Sequence, residues 1–456
     1  MSANVWRANS CSAGRISLMT AAAASTARFP HLNMSCSAVA NIEIDLHGCK
    51  RTVSTMNHIQ ANFLQENGAN PLLEGARGII MALTAAGEEC RFVGGCVRDA
   101  LAGLPLKDID LATTALPEKV MAVLSITGFQ VIPVGLTHGV VIAMRDGKKY
   151  EIATLREDVK TDGRHAVVAF TRDWELDAQR RDFTINAMSM DLDGKLYDTV
   201  GGADDLAARR VRFIGDADSR IKEDYLRILR FYRFDTMFGS GDAATRAACR
   251  NSRSGIQNLS RERMTEELTK LLSLLDPLAA CRAMVEDGVA AEITLQLTDI
   301  PTLQRLLARE AKYDLLMPWF VRLAAWGGLA YQFDETLADV FVFTRTVRAE
   351  LKFIATIDLN DLQAALYHHG VARVLHAVML CADEEGLPKF IQEINAFVPR
   401  EFPIQAEDIL AMGVAPGPRL GEILRETENW WLAGNFIADA AACKDYATTL
   451  ATVSKT

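Results

Sequence analysis

Near Ile214 the spacing of apolar residues changes from short, strand-like runs to a helical period, and it does not change back. That one-way switch admits few folds. A sheet with helices packed on it must come first and an all-helical rear must follow, which makes an α+β chain. At 456 residues the chain exceeds one ordinary hydrophobic core, so several domains are expected. The expected divisions are a leader over 1–56, a sheet-bearing head over 57–213, a helical neck over 214–275, and a helical body and tail over 276–456.

Within the head, helical text from Gly75 to Gly87 leads into "CRFV", a short buried-strand pattern that stops at Gly94-Gly95. "LPEKVMAVLSITG" predicts a helix with Pro117 in its first turn and Gly128 as its stop. "VVIAMRDGKKYEIATL" predicts two strands joined at Asp146-Gly147, the strongest hairpin signal in the chain. "TLREDVKTDGRHAVVAFTRDW" is polar and contains Gly, which predicts a mobile loop. A further helix and turn are expected after Arg180.

Hydrophobic residues make up 49% of the sequence, the share of a globular protein, and no apolar run is long enough to span a bilayer. The net charge of −9 argues against tight coating of nucleic acid. Between Arg209 and Arg233, however, eight basic residues face four acidic ones, a stripe suited to brief contact with phosphates or to a solvated face. The nine cysteines are scattered with no CxxC, which points to free thiols in a reducing compartment and to no structural zinc. No HExxH or His-Asp pair is present. Residues 1–42 carry Arg7, Arg15 and Arg28, seven serines and no acid. Such a leader is either transit-like, with a mitochondrial matrix destination, or a disordered start to a cytoplasmic protein.

The chemistry concentrates in "RFVGGCVRDALAGLPLKDIDLAT". On a strand Asp108 and Asp110 project together while Ile109 packs beneath. Two such carboxylates suit Mg²⁺, which binds one or two protein carboxylates plus substrate phosphates; a charged turn is the plain reading. Gly94 and Gly95 let a backbone approach a phosphate closely, and Arg98 either neutralises that phosphate or pairs with Asp99. Glu151 sits on the second hairpin strand, as a solvent-face acid or as a third carboxylate of a two-metal centre. "RRDFTINAM" offers Arg181, Asp182 and Asn186 to a ribose and triphosphate, or forms a capped helix start. In "EDYLRILRFYRF", Glu223, Asp224, Arg227 and Arg230 share one side of a helix. That side is either a salt-bridged face or a base reader. An Asp acceptor beside an Arg donor matches an exocyclic amine next to a ring nitrogen, as in cytosine and adenine, and repels the carbonyl of uracil or guanine.

"GGCVRD", "KDIDLATTA", "YEIATLR", "TDGRHAVVAFT", "RRDFTINAM", "DTVGGADDL", "RIKEDYLRILRFYRF" and "LSRERMTEEL" occur in that order over about residues 90–270. This series resembles the successive motifs of the class II tRNA nucleotidyltransferases, the CCA-adding enzymes. The resemblance implies a polymerase-beta-like nucleotidyltransferase head followed by helical neck, body and tail. It also implies template-independent addition of CCA to the tRNA 3′ end from CTP and ATP, with Mg²⁺ as cofactor. By position it makes Asp108 and Asp110 the metal carboxylates with Glu151 as their helper, and puts Gly95 and Arg98 at the triphosphate. Arg181 and Asp182 belong to the ribose-contacting motif. Asp224 and Arg227 read the base, with Arg230 and Arg233 in support. Asp162, Arg164 and His165 lie in a loop that shifts between C and A addition. Met264 stands where the family more often has isoleucine. The rivals are a poly(A) polymerase, disfavoured because "VGLTHGVVIAM" lacks arginines, an A-only enzyme, and a catalytically silent RNA-binding protein. The oligomeric state stays open.

Overall fold

The protein is described from a computed structural model that covers residues 71–161, 166–328 and 336–453. The leader over 1–56 and the loop residues Asp162, Arg164 and His165 lie outside the described residues. Strands β1 (Cys90–Val93), β2 (Asp110–Thr113), β3 (Gln130–Pro133), β4 (Val140–Arg145), β5 (Lys148–Thr154), β8 (Ser189–Met190) and β9 (Leu196–Tyr197) form one sheet. Its order is β3-β4-β5-β2-β1-β8-β9. All neighbouring pairs are antiparallel except β2 and β5.

Period-two alternation divides this sheet into a dry face and an open one. Phe92, Leu111 and Ile152 point into a core completed by Ile79 and Leu83 of helix Pro71–Ala85 and by Val120 and Leu124 of helix Pro117–Ser125. The opposite face carries only a small cluster of Val93, Ala112 and Leu155 beneath Trp174, which leaves room for a site. The β4–β5 turn places Asp146 at φ 51° and Gly147 at φ 73°. Two left-handed residues in a row are what a two-residue hairpin with native twist requires.

The segment expected as a mobile loop is instead a second, two-stranded sheet, β6 (Arg156–Thr161) against β7 (Ala166–Phe170). "REDVKT" has polar residues on both sides of the strand, so alternation gives no signal there, and pairing with "AVVAF" decides the conformation.

Behind the head the chain is helical. One apolar cluster runs from Phe183 and Ile185 through Ile228, Phe231 and Leu268 to Val378 and Ile394, so neck and body share a core with the rear of the head. A separate cluster around Ile409, Ile423, Trp431 and Ala447 holds the last helices together. Arg322 is fully buried in the body, where Nε donates to Glu310 at 3.0 Å and Nη1 to the Leu272 carbonyl at 2.8 Å. Among the described residues no helix is long and apolar enough to cross a membrane, and six cysteines are free thiols.

The single helix expected over Glu223–Phe234 is broken. Helix Ala217–Glu223 ends at Asp224, whose backbone is extended (φ −158°, ψ 105°), and helix Leu226–Phe238 begins afresh. The Asp224 carboxylate accepts from the Leu226 amide at 3.1 Å. Aspartate competes well for nearby backbone donors, so this local Asx turn overrides the longer period.

Candidate active site

Asp110 opens β2 and Asp108 lies just before it; both are exposed while Ile109 is 2% exposed, so the expected alternation holds. Parallel pairing sets Asp110 directly opposite Glu151 on β5, which puts the two side chains on the same open face. Among the described residues none of Asp108, Asp110 and Glu151 has an ion-pair partner. Burial first, and then the Glu151 charge, raises the Asp110 carboxyl above its ordinary pKa. Arg181 opposes that rise and Asp108 adds to it.

Asp110 is shared by two cavities. A smaller one, about 190 Å³, is bounded by Val93, Val140, Glu151, Arg156, Arg180 and Arg181. A larger one, about 610 Å³, has Asp108, Asp110, Gly94, Gly95 and Arg98 on the head side. Its far wall carries Asp224, Arg227, Arg230, Arg233, Phe234 and Lys270 from the helices after Ile214, with Arg181, Asp182 and Asn186 between. Every nucleotide-side residue expected from the sequence, among those described, borders this one space. Glu151 does not; it faces the smaller cavity.

Asp110 and Glu151 face one another across paired strands and meet at the smaller cavity. Among the described residues no group of three or more His, Cys, Asp or Glu side chains is gathered to hold a metal. Asp108 and Asp110, exposed and without a cationic partner beside a cavity large enough for a nucleotide, still fit a divalent ion completed by substrate oxygens and water.

Several expected contacts are already taken within the protein. The Gly94 N–H donates to the Met188 carbonyl at 3.1 Å, so it is not free to cradle a phosphate. What Gly94 supplies is space: at φ +67° a Cβ there would lie 2.9 Å from Arg181 Nη1. Arg98 is 6% exposed and pairs with Asp99 at 2.6 Å, the plain alternative, while Nη1 reaches Asn186 Oδ1 at 2.5 Å. Its remaining edge borders the large cavity and stacks on Phe234 and Phe238. Asn186 passes the link on, donating to Asp182 at 2.9 Å. Asp182 also accepts from the Phe183 amide and from Arg230 Nε at 2.7 Å. Burial alone would raise its carboxyl, but Arg230 and these donors hold it below the usual range.

The basic stripe from Arg209 to Arg233 is not a solvated face. Arg210 and Arg212 pair with buried Asp205, Arg220 and Arg227 with Glu223, Arg230 with Asp182, and Arg233 with Glu267. Asp224 pairs not with Arg227 but with Arg263 of helix Arg261–Leu272, at 2.6 Å. Six of the eight basic residues of the stripe are thus fixed by a carboxylate, and the three that border the cavity, Arg227, Arg230 and Arg233, are aimed rather than waving cations. Lys270, Arg180 and Asp177 escaped the sequence reading. Lys270 lies just past the quoted neck motif, Arg180 opens "RRDFTINAM" and Asp177 lies three residues before it, so membership of or proximity to those motifs was the available signal.

The family description "Poly A polymerase head domain" matches residues 90–212, and "Probable RNA and SrmB- binding site of polymerase A" matches 242–300. The mitochondrial CCA tRNA nucleotidyltransferase 1 of Danio rerio is 33% identical over 370 residues, covering 75% of this chain and 83% of that protein. The chain belongs to the CCA tRNA nucleotidyltransferase family. A Bacillus cereus (strain B4264) CCA-adding enzyme is 31% identical over 396 residues, 81% of this chain and 97% of its own. The Bacillus stearothermophilus CCA-adding enzyme, solved in complex with CTP, superposes with a TM-score of 0.68 at 28% identity over 85% of this chain and 99% of that one. The α+β head with its helical neck, body and tail is the architecture of this family.

Proposed function

We propose that this chain is a tRNA nucleotidyltransferase that adds C, C and A to the tRNA 3′ end from CTP and ATP. One observation carries the reading: two exposed carboxylates, Asp108 and Asp110, with no ion-pair partner among the described residues, stand at the edge of a cavity whose opposite wall is lined by Asp224, Arg227, Arg230 and Arg233. An anionic edge facing a cationic wall suits a nucleoside triphosphate whose α-phosphorus must sit near the acids and whose base must reach the helices.

In this reading the triphosphate lies along Arg98, Arg181 and the backbone at Gly95. The RNA 3′ hydroxyl enters from the smaller cavity, past Glu151, gives up its proton to water and attacks the α-phosphorus. The α–β phosphoanhydride bond breaks and pyrophosphate departs. A divalent ion held by Asp108 and Asp110, Mg²⁺ in this proposal, would supply charge neutralisation and a more acidic hydroxyl. The arginines contribute by positioning and by balancing charge that is already developing. Asp224, held by Arg263, presents an acceptor to the exocyclic amine of C or A, and Arg227 a donor to the ring nitrogen. Asp182 and Asn186 act by bracing Arg230 and Arg98 at the sugar's side. Asp162, Arg164 and His165 remain assigned to C-to-A switching.

The test is product length. Given tRNA ending at the discriminator base with CTP, ATP and Mg²⁺, the protein should add three nucleotides and stop. A long A tail, a single A that requires pre-added CC, or no extension would each overturn the reading in favour of a named rival. Arg227→Ala should raise misincorporation of UTP about tenfold or more, the value of one lost directional hydrogen-bond pair; unchanged discrimination would remove the base-reader assignment. The leader, with its arginines and serines and no acid, favours import, as do mitochondrial relatives such as that of Danio rerio. A reporter fused to residues 1–56 that stays outside mitochondria would reverse that assignment.

A further inference from the structure

Asp177 lies in helix Trp174–Gln179, over the open face of the sheet, and is 3% exposed. Its Oδ1 accepts from Arg180 Nε at 2.9 Å and Nη2 at 2.7 Å, and from the backbone amide of Arg156 at 3.3 Å. Its Oδ2 accepts from Arg181 Nη2 at 3.1 Å. One buried anion therefore gathers three donors from separate places: the first residue of β6, and two arginines that border the cavities. Arg180 lines the smaller cavity, and Arg181 lines both.

Arg181 is held at two points. Besides Asp177 it donates from Nη1 to the Asn186 carbonyl at 3.3 Å, and the missing side chain of Gly94 leaves it room. Its charge acts on Asp110, where it opposes the upward push of burial and of Glu151. A guanidinium with two long-lever torsions per donor loses this aim once its anchor goes, since rotamer freedom returns. Burial would raise the Asp177 carboxyl, but Arg181 and Arg180 outweigh it and hold the group below its usual range.

We propose that Asp177 is a positioning residue for nucleotidyl transfer: it touches neither substrate, but fixes Arg181 between Asp110 and the triphosphate while tying down the root of the β6–β7 hairpin. The proposal rests on the reading that the larger cavity holds the triphosphate. An ionised carboxylate is required because both arginines lean on it; a neutral amide of the same shape retains one acceptor and leaves two cations to repel each other.

A double-mutant cycle tests this. Asp177→Asn, Arg181→Gln and the double variant are assayed for CTP addition, with rates expressed per folded enzyme. Asp177→Asn should lower kcat/KM for CTP at least about tenfold, with KM for CTP raised and KM for tRNA unchanged. If Asp177 acts through Arg181, the double variant should match Arg181→Gln within about threefold. Multiplying losses would overturn the proposal, as would Asp177→Asn kinetics equal to wild type. If Arg181→Gln alone leaves KM for CTP unchanged, the triphosphate reading of the cavity fails instead. Asp205→Asn is the structural control: Asp205 is buried and holds Arg210 and Arg212 away from both cavities, so its loss should lower the melting temperature and leave KM for CTP unaltered. Should Asp177→Asn not fold, Asp177→Glu keeps the charge and displaces it by one methylene. It should fold and still raise KM for CTP; wild-type kinetics from that variant would overturn the proposal.

Discussion

Asp182 and Asp110 border the same cavity, yet among the described residues the first is held by three donors and the second by no cation within ion-pair distance. Their carboxyls shift in opposite directions, Asp182 down and Asp110 up. The same division runs through the head. Glu88, Asp177 and Asp205 are buried and paired with arginine or lysine, while Asp108, Asp110 and Glu151 crowd together with, among the described residues, no cation at ion-pair distance. Paired acids repay their burial through the fold. Crowded, unpaired ones work against it, and such local strain persists where something outside the chain is meant to complete the charge balance.

That contrast breaks most visibly at Asp110. Asp110→Asn should reduce nucleotide addition by roughly 10³-fold or more, the several kcal/mol a metal-binding carboxylate contributes, while the melting temperature stays level or rises. A parallel fall in thermal stability would mean that Asp110 belongs with the structural acids. Asp182→Asn should do the reverse in stability, costing about 3 kcal/mol in denaturant unfolding because it strands Arg230 beside the core; Arg230 is 30% exposed, so it can partly retreat to water, and a loss above about 5 kcal/mol is not expected.

Millimolar Mg²⁺ should sharpen the comparison. It should raise the melting point of the wild-type protein, by about 1–3 kcal/mol of linkage at tens to hundreds of Kd, and the rise should vanish in Asp110→Asn but survive in Asp182→Asn. A shift preserved in Asp110→Asn would move the ion elsewhere.

The smallest effect concerns pH. Glu88 is held down to about 2, chiefly by its hydrogen bond from Lys119, then by Thr114, with burial opposing and Arg172 assisting. Its folded pKa is depressed, so its contribution is complete above the ordinary carboxylate value of about 4.3 and drains away as pH falls toward about 2. Glu88→Gln should therefore melt below wild type at pH 7, with the gap closing as the pH approaches 2. A gap that widens in acid would contradict the assignment.

The elements around the site were mostly legible in the sequence because their signals are local. Gly94 ends β1 as a left-handed residue, Asp146-Gly147 makes its turn, Pro117 starts a helix, and Ile109 packs beneath two exposed acids. Three features were hidden. The strand β6 carries no alternation, the helix through Asp224 is interrupted by an Asx turn that competes with its own period, and the basic stripe finds its partners on other elements. Each of these depends on contacts between residues distant in sequence, or on a backbone competition that a periodic pattern does not register.

By itself the sequence determined the kind of molecule: where the sheet gives way to helices, which turns are sharp, and which acids and arginines are available. These follow from side-chain period and backbone permissiveness, which act within a few residues. Tertiary structure alone decided that Glu151 stands across a parallel strand from Asp110 and borders only the smaller of its two cavities, that Asp182 braces Arg230, and that Asp177 reaches the Arg156 amide as well as its helical neighbours Arg180 and Arg181. The reason is electrostatic: whether a charge supports the fold or is left for a ligand depends on which opposite charge the chain brings within a few ångströms, and that is settled only when distant segments pack.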